Sequence, residues 1–343
     1  MRKYILLLFG IVFLMGCHTK QNDSEEQEVS ISREMFAMDT NITMIAYGAN
    51  ANQALTLAEA EIHRLDKLLS TGDVNSEVSR INDNGGGKIS KDIAYLLQRS
   101  IEISEKTEGA MDITIYPVME LWGFPSKDYR VPADEELLQI KEVVGIDYLN
   151  YDESSSQISF DKSGMKIDFG SIAKGYASMR VMEIFEENRV TAGMVNLGGN
   201  VQVLGNKPNG EAWRVAVQHP DSSKEEYLGV VSASDTAVIT AGTYERYFEE
   251  DGTIYHHIMD PKSAKPASNG LLAVTLVTPD GTFADGMDTP LLIMGTEAAI
   301  EYCELHQEEF GAILLTEEDK LYVTENIVSK FQSDYIVNVI KRK

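Results

Sequence analysis

Three oxygen-bearing side chains in the last quarter of the chain have the spacing of a cation site. Asp285, Asp288 and Thr289 stand at i, i+3 and i+4, so they share one face if the segment is helical. Carboxylate and hydroxyl oxygens suit Mg²⁺ or Ca²⁺, with water or a substrate phosphate completing the coordination. Asp285 is equally suited to capping the apolar helix that this segment opens. The spacing therefore leaves two alternatives, a metal site and a helix cap.

A lysine follows a glycine-bearing turn in residues 168–177. Residues 167–169 are typical of the end of a strand, and Gly170 permits a close approach of the backbone to a ligand. A helix that begins after Lys174 points free amide groups at an anion, and the lysine adds a positive charge. The segment fits either a phosphate site or an ordinary strand-turn-helix joint with a solvent-directed lysine.

Two further positions carry groups that titrate. His256 and His257 end a stretch with strand character, and the Asp260-Pro261 pair forces a turn just after them. A histidine at such an edge can act as a base near neutral pH, and strand alternation turns one of the two toward solvent. Asp112 lies between small and apolar residues, so its carboxylate needs donors, either backbone amides or the NH and OH groups of a ligand.

The segments that must position these residues are predicted to be a mixture of helices and strands. One helix is predicted from an apolar face formed by Leu55, Ala58, Ile62, Leu65 and Leu69. Further helices are predicted at residues 92–106, 133–144 and 176–189, a strand at 36–47, a hairpin from 158–160 and 165–167, a linker at 83–87, and a strand broken by a glycine pair at 194–201.

The first 17 residues predict an export signal. Arg2 and Lys3 precede an apolar run at residues 4–15, and residues 14–17, Leu-Met-Gly-Cys, resemble a bacterial lipobox. Because the run is short for a membrane span, we expect cleavage before Cys17 and lipidation of its thiol. An uncleaved anchor is the alternative. Residues 18–30 then form an acidic tether, and residues 31–343 form a domain held outside the cytoplasm at the bacterial cell membrane.

Charge and cysteine content narrow the partners. The chain of 343 residues has Asp+Glu 54 against Lys+Arg 30, a formal net charge of -24. Such a field repels nucleic acid and anionic lipid, so any bound anion must be held by local cations. Cys303 is the only cysteine after Cys17, which predicts no intramolecular disulfide and a thiol that belongs to the core.

A series of motifs in a fixed order resembles the ApbE family of FAD:protein FMN transferases, whose members are often lipoproteins. The resemblance covers nearly the whole mature chain. It rests on residues 38–40 (MDT), 69–71 (LST) with 76–77 (SE), 109–114 (GAMDIT), 121–124 (LWGF), 168–175 (DFGSIAKG), 196–199 (NLGG), 242–246 (GTYER), 257–261 (HIMDP), and 284–285 (AD) with Thr289.

The resemblance implies an α+β fold, with mixed or antiparallel sheets and packed helices around an FAD cleft. It also implies an enzyme that splits FAD, esterifies FMN to a Ser or Thr hydroxyl of a target protein, and releases AMP. The target is expected to be a subunit of a membrane redox complex or a secreted FMN-binding domain.

The same resemblance implies roles for individual residues. The implied ligands of Mg²⁺, with Ca²⁺ as the alternative, are the side chains of Asp285 and Thr289 and the main-chain oxygen of Ser171. His257 is the implied base for the acceptor hydroxyl, and Lys174 the cation at the pyrophosphate. The implied FAD-binding residues are Met38, Ala110, Met111, Asp112, Asp168, Lys174 and Ile258.

Three positions depart from the family pattern. Gly72 stands where relatives often have an aromatic residue, Ser263-Ala264 replaces the usual Thr-Gly, and Asp288 is an extra acid beside the expected metal. The Gly72 departure leaves room for a metal-dependent FAD pyrophosphatase, in which water replaces the acceptor hydroxyl. A lipoprotein that binds FAD without chemistry is a further alternative.

Overall fold

The computed structural model describes residues 30–220 and 227–343, so the predicted signal, Cys17 and nearly all of the tether lie outside the described residues. The α-helices in these ranges are α1 (Ala51–Leu69), α2 (Glu77–Asn84), α3 (Lys91–Lys106), α4 (Tyr116–Trp122), α5 (Asp134–Lys141), α6 (Ala173–Glu187), α7 (Gly281–Met294), α8 (Thr296–Leu305) and α9 (Glu325–Val328). Short 3-10 turns occupy Ile113–Ile115 and Ile146–Tyr148.

The strands in these two ranges form one large sheet and four small ones. They are β1 (Ile31–Ala37), β2 (Thr40–Tyr47), β3 (Gly86–Lys88), β4 (Leu149–Asp152), β5 (Gln157–Phe160), β6 (Ala192–Leu197), β7 (Asn200–Leu204), β8 (Trp213–Gln218), β9 (Tyr227–Ala233), β10 (Thr236–Gly242), β11 (Tyr247–Glu250), β12 (Thr253–His256), β13 (Met259–Asp260), β14 (Lys265–Pro266), β15 (Leu271–Thr278), β16 (Gly311–Thr316), β17 (Leu321–Thr324), β18 (Phe331–Gln332) and β19 (Val337–Ile340). The large sheet has the order β1-β2-β6-β7-β10-β15-β16-β17-β19, and only its β17-β19 pair is parallel.

The large sheet is covered on both faces. Helices α1, α6 and α7 pack on one face and share the main apolar core with β2. The small sheet β18-β9-β8 contributes to a second core on the other face, which includes Trp213, Val238 and Ile313. Strand β15 is therefore buried along almost its whole length, as expected for a central strand covered on both sides. This arrangement confirms the predicted α+β class.

Several sequence predictions agree closely with the structure. Helix α1 buries all five residues of its predicted apolar face, because positions three and four apart project to the same side. The predicted helix at 92–106 corresponds to α3, and the one at 133–144 to the shorter α5. Cys303 is fully buried, and burial raises the pKa of its thiol to about 12, as expected for a core residue.

Two predicted strands are hairpins instead. The chain reverses at Met38 and Asp39, which adopt φ angles of 52° and 57°, so residues 36–47 span the end of β1 and all of β2. Asp39 is a residue type that tolerates this conformation, but Met38 is not, and the alternation of apolar residues continues across the turn. The pair Gly198-Gly199, with φ angles of 61° and 102°, turns β6 into β7.

The prediction around residues 158–169 was wrong in its pairing. Strand β5 pairs with β4 and β3, whereas Met165, Lys166 and Ile167 belong to no strand. The backbone of Ile167 is satisfied by the side chain of Asn82, whose Oδ1 accepts from the Ile167 N–H at 2.7 Å and whose Nδ2 donates to its carbonyl at 2.9 Å. A side-chain amide thus replaces a sheet ladder at this point.

The glycine-rich segment predicted as a linker is part of the fold. Gly85 ends α2 in the left-handed conformation with φ 66°, and Gly86 begins β3. Within the described ranges, no helix combines the length and apolar character that a membrane crossing requires.

Candidate active site

A cavity of about 140 Å³ gathers most of the predicted site residues. Its walls come from α6, α7, the end of β10, and the segments around residues 110 and 258. The predicted site residues that line it are Ala110, Met111, Asp112, Asp168, Ser171, Lys174, His257, Ile258, Asp285 and Thr289. Residues far apart in sequence therefore meet at one place, as the predicted FAD and metal sites require.

Two glycines bring α6 and α7 into close contact behind this cavity. A Cβ atom added to Gly175 would overlap the carbonyl oxygen of Gly281 and the Cβ of Asp285. A Cβ added to Gly281 would overlap the amide oxygen of Gln202, which lies in β7. Only residues without side chains fit this crossing, so the two glycines determine how near Asp285 comes to the start of α6.

Asp285 is held at both carboxylate oxygens. The N–H of Gly175 donates to its Oδ2 at 2.8 Å, and the Nδ2 of Asn200 donates to its Oδ1 at 2.6 Å. The side chain is only 4% exposed, and burial raises its pKa, while the nearby charge of Lys174 and these hydrogen bonds oppose that rise. Because Gly175 is the third residue of α6, Asp285 satisfies a free amide at the N-terminus of a different helix.

The structure separates the two alternatives for Asp285. Helix α7 begins at Gly281, and its N-cap is Asp280, whose Oδ1 accepts from the N–H of Phe283 at 2.9 Å. Asp285 lies one turn further on, so it does not cap its own helix. The helix continues past Pro290 to Met294, and its first turn is regular.

Asp288 lies beside Asp285 on the cavity wall and is 2% exposed. Its Oδ1 accepts from the N–H of Thr289 at 2.6 Å and from the Thr289 hydroxyl at 3.3 Å. Burial and the charge of Asp285 raise the pKa of Asp288 well above its ordinary value. Two carboxylates and a hydroxyl thus form an oxygen-only donor set, which fits Mg²⁺ or Ca²⁺ better than a transition metal.

This donor set differs from the usual clusters of protein metal ligands. Nowhere in residues 30–220 and 227–343 do three or more His, Cys, Asp or Glu side chains group closely enough to hold an ion by themselves. A cation at α7 would therefore depend on the Thr289 hydroxyl, on the main-chain oxygen of Ser171, and on oxygens that a substrate brings.

The two neighbouring histidines have separate environments. His256 is buried, with its Nε2 2.7 Å from the carbonyl oxygen of Ala267 and its Nδ1 accepting from the N–H of Ile258 at 3.3 Å. His257 is half-buried and lines the cavity. Its main-chain N–H donates to the carbonyl oxygen of Arg246 at 3.0 Å, and its ring Nδ1 lies 3.2 Å from the same oxygen. His256 is thus structural, and His257 faces the site.

Burial and the positive charge of Arg246 lower the pKa of His257 to about 3. The imidazole is therefore neutral at physiological pH, which is the state that a general base requires.

Lys174 and Arg246 supply positive charge to the cavity. Helix α6 starts at Ala173, which is earlier than predicted, so Lys174 belongs to its first turn. Arg246 follows β10 and was given no role by the sequence analysis, although the motif at residues 242–246 contains it. The predicted free amides at the start of α6 are already bonded, to Phe169 and Asp285, so the two side chains rather than helix amides favour an anionic ligand.

Two predicted FAD-binding acids have backbone partners. Asp112 accepts from the N–H of Thr114 at 2.8 Å, from the Thr114 hydroxyl at 2.6 Å, and from the N–H of Ile146 at 3.2 Å. The N–H of Gly170 donates to Asp168 at 3.0 Å. Burial raises the pKa of both carboxyl groups. Backbone amides therefore supply donors to Asp112, which was one of the two alternatives. Ligand binding by Asp112, which lies on the cavity wall, stays a prediction.

Met38 is the predicted FAD-binding residue that the structure does not bring to this cavity. It lies in the β1-β2 turn, where its N–H donates to the Oδ1 of Asp66 at 2.9 Å. The residues that sequence reasoning missed, apart from Arg246, include Glu245 on the cavity wall and Asn200 behind it. Asn200 directly follows the quoted motif at residues 196–199, and its position after a glycine pair was the available signal.

A second cavity of about 470 Å³ adjoins the first. The two share Ala110 and Ile293 as wall residues, and the larger one extends toward α8, past Ala298 and Leu305. The larger cavity is lined by the acids Glu108, Asp260 and Glu301, but it contains neither Asp285 nor His257, so the smaller one is the candidate for chemistry.

Comparison with known proteins agrees with this geometry. A model of the ApbE family matches residues 38–314. The FAD:protein FMN transferase of Haemophilus influenzae is 31% identical over 333 residues, covering 93% of this chain and 96% of that protein. The enzyme of the same name from Vibrio cholerae is 28% identical over 325 residues, covering 93% and 95%.

Solved structures give the same result. The ApbE protein of Thermotoga maritima aligns with a TM-score of 0.83 and 28% identity, covering 88% of this chain and 99% of that one. The apo form of the Pseudomonas stutzeri flavinyl transferase ApbE aligns with a TM-score of 0.80 and 27% identity, covering 90% and 99%. The matches span both the fold and the segments that build the cavity, and this chain belongs to the ApbE family.

Proposed function

We propose that this protein is a flavin transferase that moves FMN from FAD to a hydroxyl group of a target protein. The observation that carries the proposal is the convergence of Asp285, Thr289, Lys174 and His257 on one cavity in a chain of this family. The relatives named above are FAD:protein FMN transferases, and FAD is accordingly the substrate.

The reaction needs one bond exchange at phosphorus. The oxygen of a Ser or Thr side chain of the target attacks the FMN phosphorus of FAD, and the bond from that phosphorus to the bridging oxygen breaks. A phosphoester joins FMN to the target, AMP leaves with the bridging oxygen, and the hydroxyl proton passes to His257. His257 is neutral at physiological pH, so a ring nitrogen can accept that proton.

Charge neutralisation is the main demand on the site. The pyrophosphate is anionic and the protein has a formal net charge of -24, so its overall field opposes substrate binding. Lys174 and Arg246 offset that field locally. Such groups stabilise the charge that develops on the phosphoryl oxygens without a protein nucleophile.

A divalent cation completes the proposal. Asp285, Thr289 and the main-chain oxygen of Ser171 would hold Mg²⁺, with Ca²⁺ as the alternative, and Asp288 lies close enough in the fold to influence the choice. When bound, the ion would neutralise phosphate oxygens and align them for attack. The oxygen-only character of these groups and the burial of both carboxylates support this part.

We also propose that the enzyme works outside the cytoplasm, tethered by a lipid on Cys17. The support comes from the sequence at residues 2–17. Its acceptor would then be a membrane redox-complex subunit or a secreted FMN-binding domain with a reactive Ser or Thr. Nucleic acid is not expected as a partner, because the chain is strongly acidic.

The test is a mass measurement on candidate acceptors. Purified protein is incubated with FAD, Mg²⁺ and each of several FMN-binding domains, and each domain is weighed intact. We expect a gain equal to FMN minus water on one acceptor, with AMP in equal amount, and no gain when the target Ser or Thr is changed to Ala. Failure of every plausible acceptor to gain mass would contradict the proposal.

The same experiment separates the two alternatives. AMP and free FMN in equal amounts, produced without any acceptor, would indicate a pyrophosphatase. Tight retention of FAD without AMP at any Mg²⁺ or Ca²⁺ concentration would indicate a binding protein.

A further inference from the structure

Asn200 has a buried side-chain amide that contacts the candidate metal site. It is the first residue of β7, directly after the turn at Gly198-Gly199, and is 1% exposed. Its Nδ2 donates to the Oδ1 of Asp285 at 2.6 Å. The sheet thus reaches the carboxylate from one side, while α6 reaches it from the other through the N–H of Gly175.

The two contacts together define the orientation of the carboxylate. A single hydrogen bond would leave Asp285 free to rotate about its Cβ–Cγ bond, whereas donors on both oxygens from two different elements remove that freedom. Each carboxylate oxygen can accept more than one bond, so each keeps acceptor capacity for a ligand in the cavity. The arrangement fixes the group without saturating it.

The chemical type of the donor also matters. A carboxamide N–H carries no net charge, so it orients Asp285 without competing with a cation for the charge of the carboxylate. A lysine or arginine in the same place would form an ion pair and weaken cation binding. Partners behind the ligands of metal sites commonly act in this way, and their loss typically lowers metal affinity by 10 to 100-fold.

We propose that Asn200 is a positioning residue that orients Asp285 for a divalent cation. The proposal rests on the transferase function proposed above, because that function supplies the reason for a cation at Asp285. It assigns to Asn200 a part in metal affinity and none in proton transfer.

Gln202 provides a matched control. It lies two residues further along β7, is 5% exposed, and makes two side-chain hydrogen bonds, one of them buried. Its Nε2 donates to the carbonyl oxygen of Pro279 at 3.2 Å, and its Oε1 accepts from the hydroxyl of Ser178 at 2.6 Å. Gln202 thus resembles Asn200 in type, strand and burial, but its bonds tie α6 to the segment before α7 and do not reach Asp285, so its loss reports the effect of loosening the helix crossing alone.

The first measurement is the affinity of the protein for Mn²⁺. The concentration of free ion is read from its electron paramagnetic resonance signal. The protein is titrated alone and again with ADP, which supplies a pyrophosphate. We expect Asn200→Leu, which keeps the branched shape but removes the donor, to raise the Kd for Mn²⁺ about tenfold or more. Gln202→Leu loosens the crossing but leaves the Asn200 bond to Asp285 in place, so it should raise this Kd clearly less than Asn200→Leu does.

The second measurement is the Mg²⁺ dependence of AMP release. We expect Asn200→Leu to need about ten times more Mg²⁺ for half-maximal rate, while kcat at saturating Mg²⁺ stays within about threefold of wild type. A purely structural role would instead lower kcat and thermal stability without changing the Mg²⁺ requirement. Asn200→Ser, which keeps a shorter donor, should lie between Asn200→Leu and wild type, and it replaces the leucine variant if that one does not fold.

The outcomes that overturn the proposal are distinct. Equal Mn²⁺ affinity in wild type and Asn200→Leu, or equal losses in Asn200→Leu and Gln202→Leu, would overturn the role of Asn200 and leave the transferase function intact. Absence of Mn²⁺ binding by wild type, with and without ADP, would overturn the metal site itself and the Asn200 proposal with it.

Discussion

The two walls of the active-site cavity are built in opposite ways. The Asp285 wall lies where α6 and α7 cross at Gly175, and its carboxylates are 4% and 2% exposed. The His257 wall follows the β11-β12 hairpin, whose strands have four residues each and pair only with each other. Tyr247 and Ile254 of that hairpin are 52% and 60% exposed.

This difference corresponds to the two substrates of the proposed reaction. Phosphate and cation need a wall whose geometry is fixed before binding, since small errors in position are costly in phosphoryl transfer. A protein acceptor must instead reach the base from solvent, so the base belongs on an exposed edge. We therefore expect changes at the Asp285 wall to affect every turnover, and changes at the His257 wall to affect transfer to the acceptor first.

Replacement of Asp285 should have the largest effect. Asp285→Asn keeps the size of the side chain but removes its charge, and we expect AMP release to fall by about 10³ or more, because several kcal/mol of cation stabilisation are lost. The Kd for FAD should rise by less than about tenfold, because Lys174 and Arg246 remain. AMP release by chromatography and FAD binding by fluorescence measure the two quantities. Unchanged AMP release would remove Asp285 from the mechanism.

Replacement of His257 should separate the two walls. We expect His257→Ala to slow FMN transfer by about 10² to 10⁴, the usual contribution of a general base. FAD binding and Mn²⁺ binding should be unchanged within about twofold, because the Asp285 wall is intact. His256→Ala is not a suitable control, since His256 is buried and bonded to Ala267. Transfer at the wild-type rate in His257→Ala would assign the base to another group.

A methyl group at the helix crossing should disturb the Asp285 wall without touching its chemistry. Gly175→Ala raises helix propensity by about 1 kcal/mol, yet its Cβ overlaps Gly281 and Asp285. We expect kcat to fall by about 10², because the carboxylate moves. Glu186→Ala, at an exposed position of the same helix, is the control. Wild-type kcat in Gly175→Ala would show that the close crossing is dispensable.

The smallest expected effect is that of pH on the protonation of His257 and on the transfer rate. Because burial and Arg246 lower the pKa of His257 to about 3, the imidazole is already neutral throughout the range from pH 5 to 8. We expect its ring resonances in NMR to stay constant across that range, and the transfer rate to show no fall from its protonation as the pH drops from 7 to 5. A titration of these resonances near pH 6.5, absent from His257→Ala, would contradict the stated environment.

The sequence predicted the Asp285 wall better than its surroundings. The i, i+3, i+4 spacing places Asp285, Asp288 and Thr289 on one helical face, and the structure has that helix. The choice between metal site and cap was not accessible, because it depends on Asp280, one turn earlier, and on Gly175, over a hundred residues away. Local spacing determines which residues share a face, whereas tertiary contacts determine what that face meets.

Irregular backbone was the main source of error elsewhere. Met38, together with Asp39, turns the chain in a left-handed conformation that methionine seldom adopts. Ile167 satisfies its backbone through Asn82 rather than through a strand. Neither arrangement leaves a periodic signal in the sequence. Asn200 was missed for a related reason, because its partner Asp285 is 85 residues away.

The contact between His257 and Arg246 decides which ring nitrogen can act as the base. A carbonyl oxygen can only accept, so the Nδ1 of His257, 3.2 Å from the oxygen of Arg246, must carry the hydrogen of the neutral ring. The lone pair then lies on Nε2, and the main chain selects this tautomer without any carboxylate partner. An incoming hydroxyl must therefore approach the far side of the imidazole, away from the peptide that orients it.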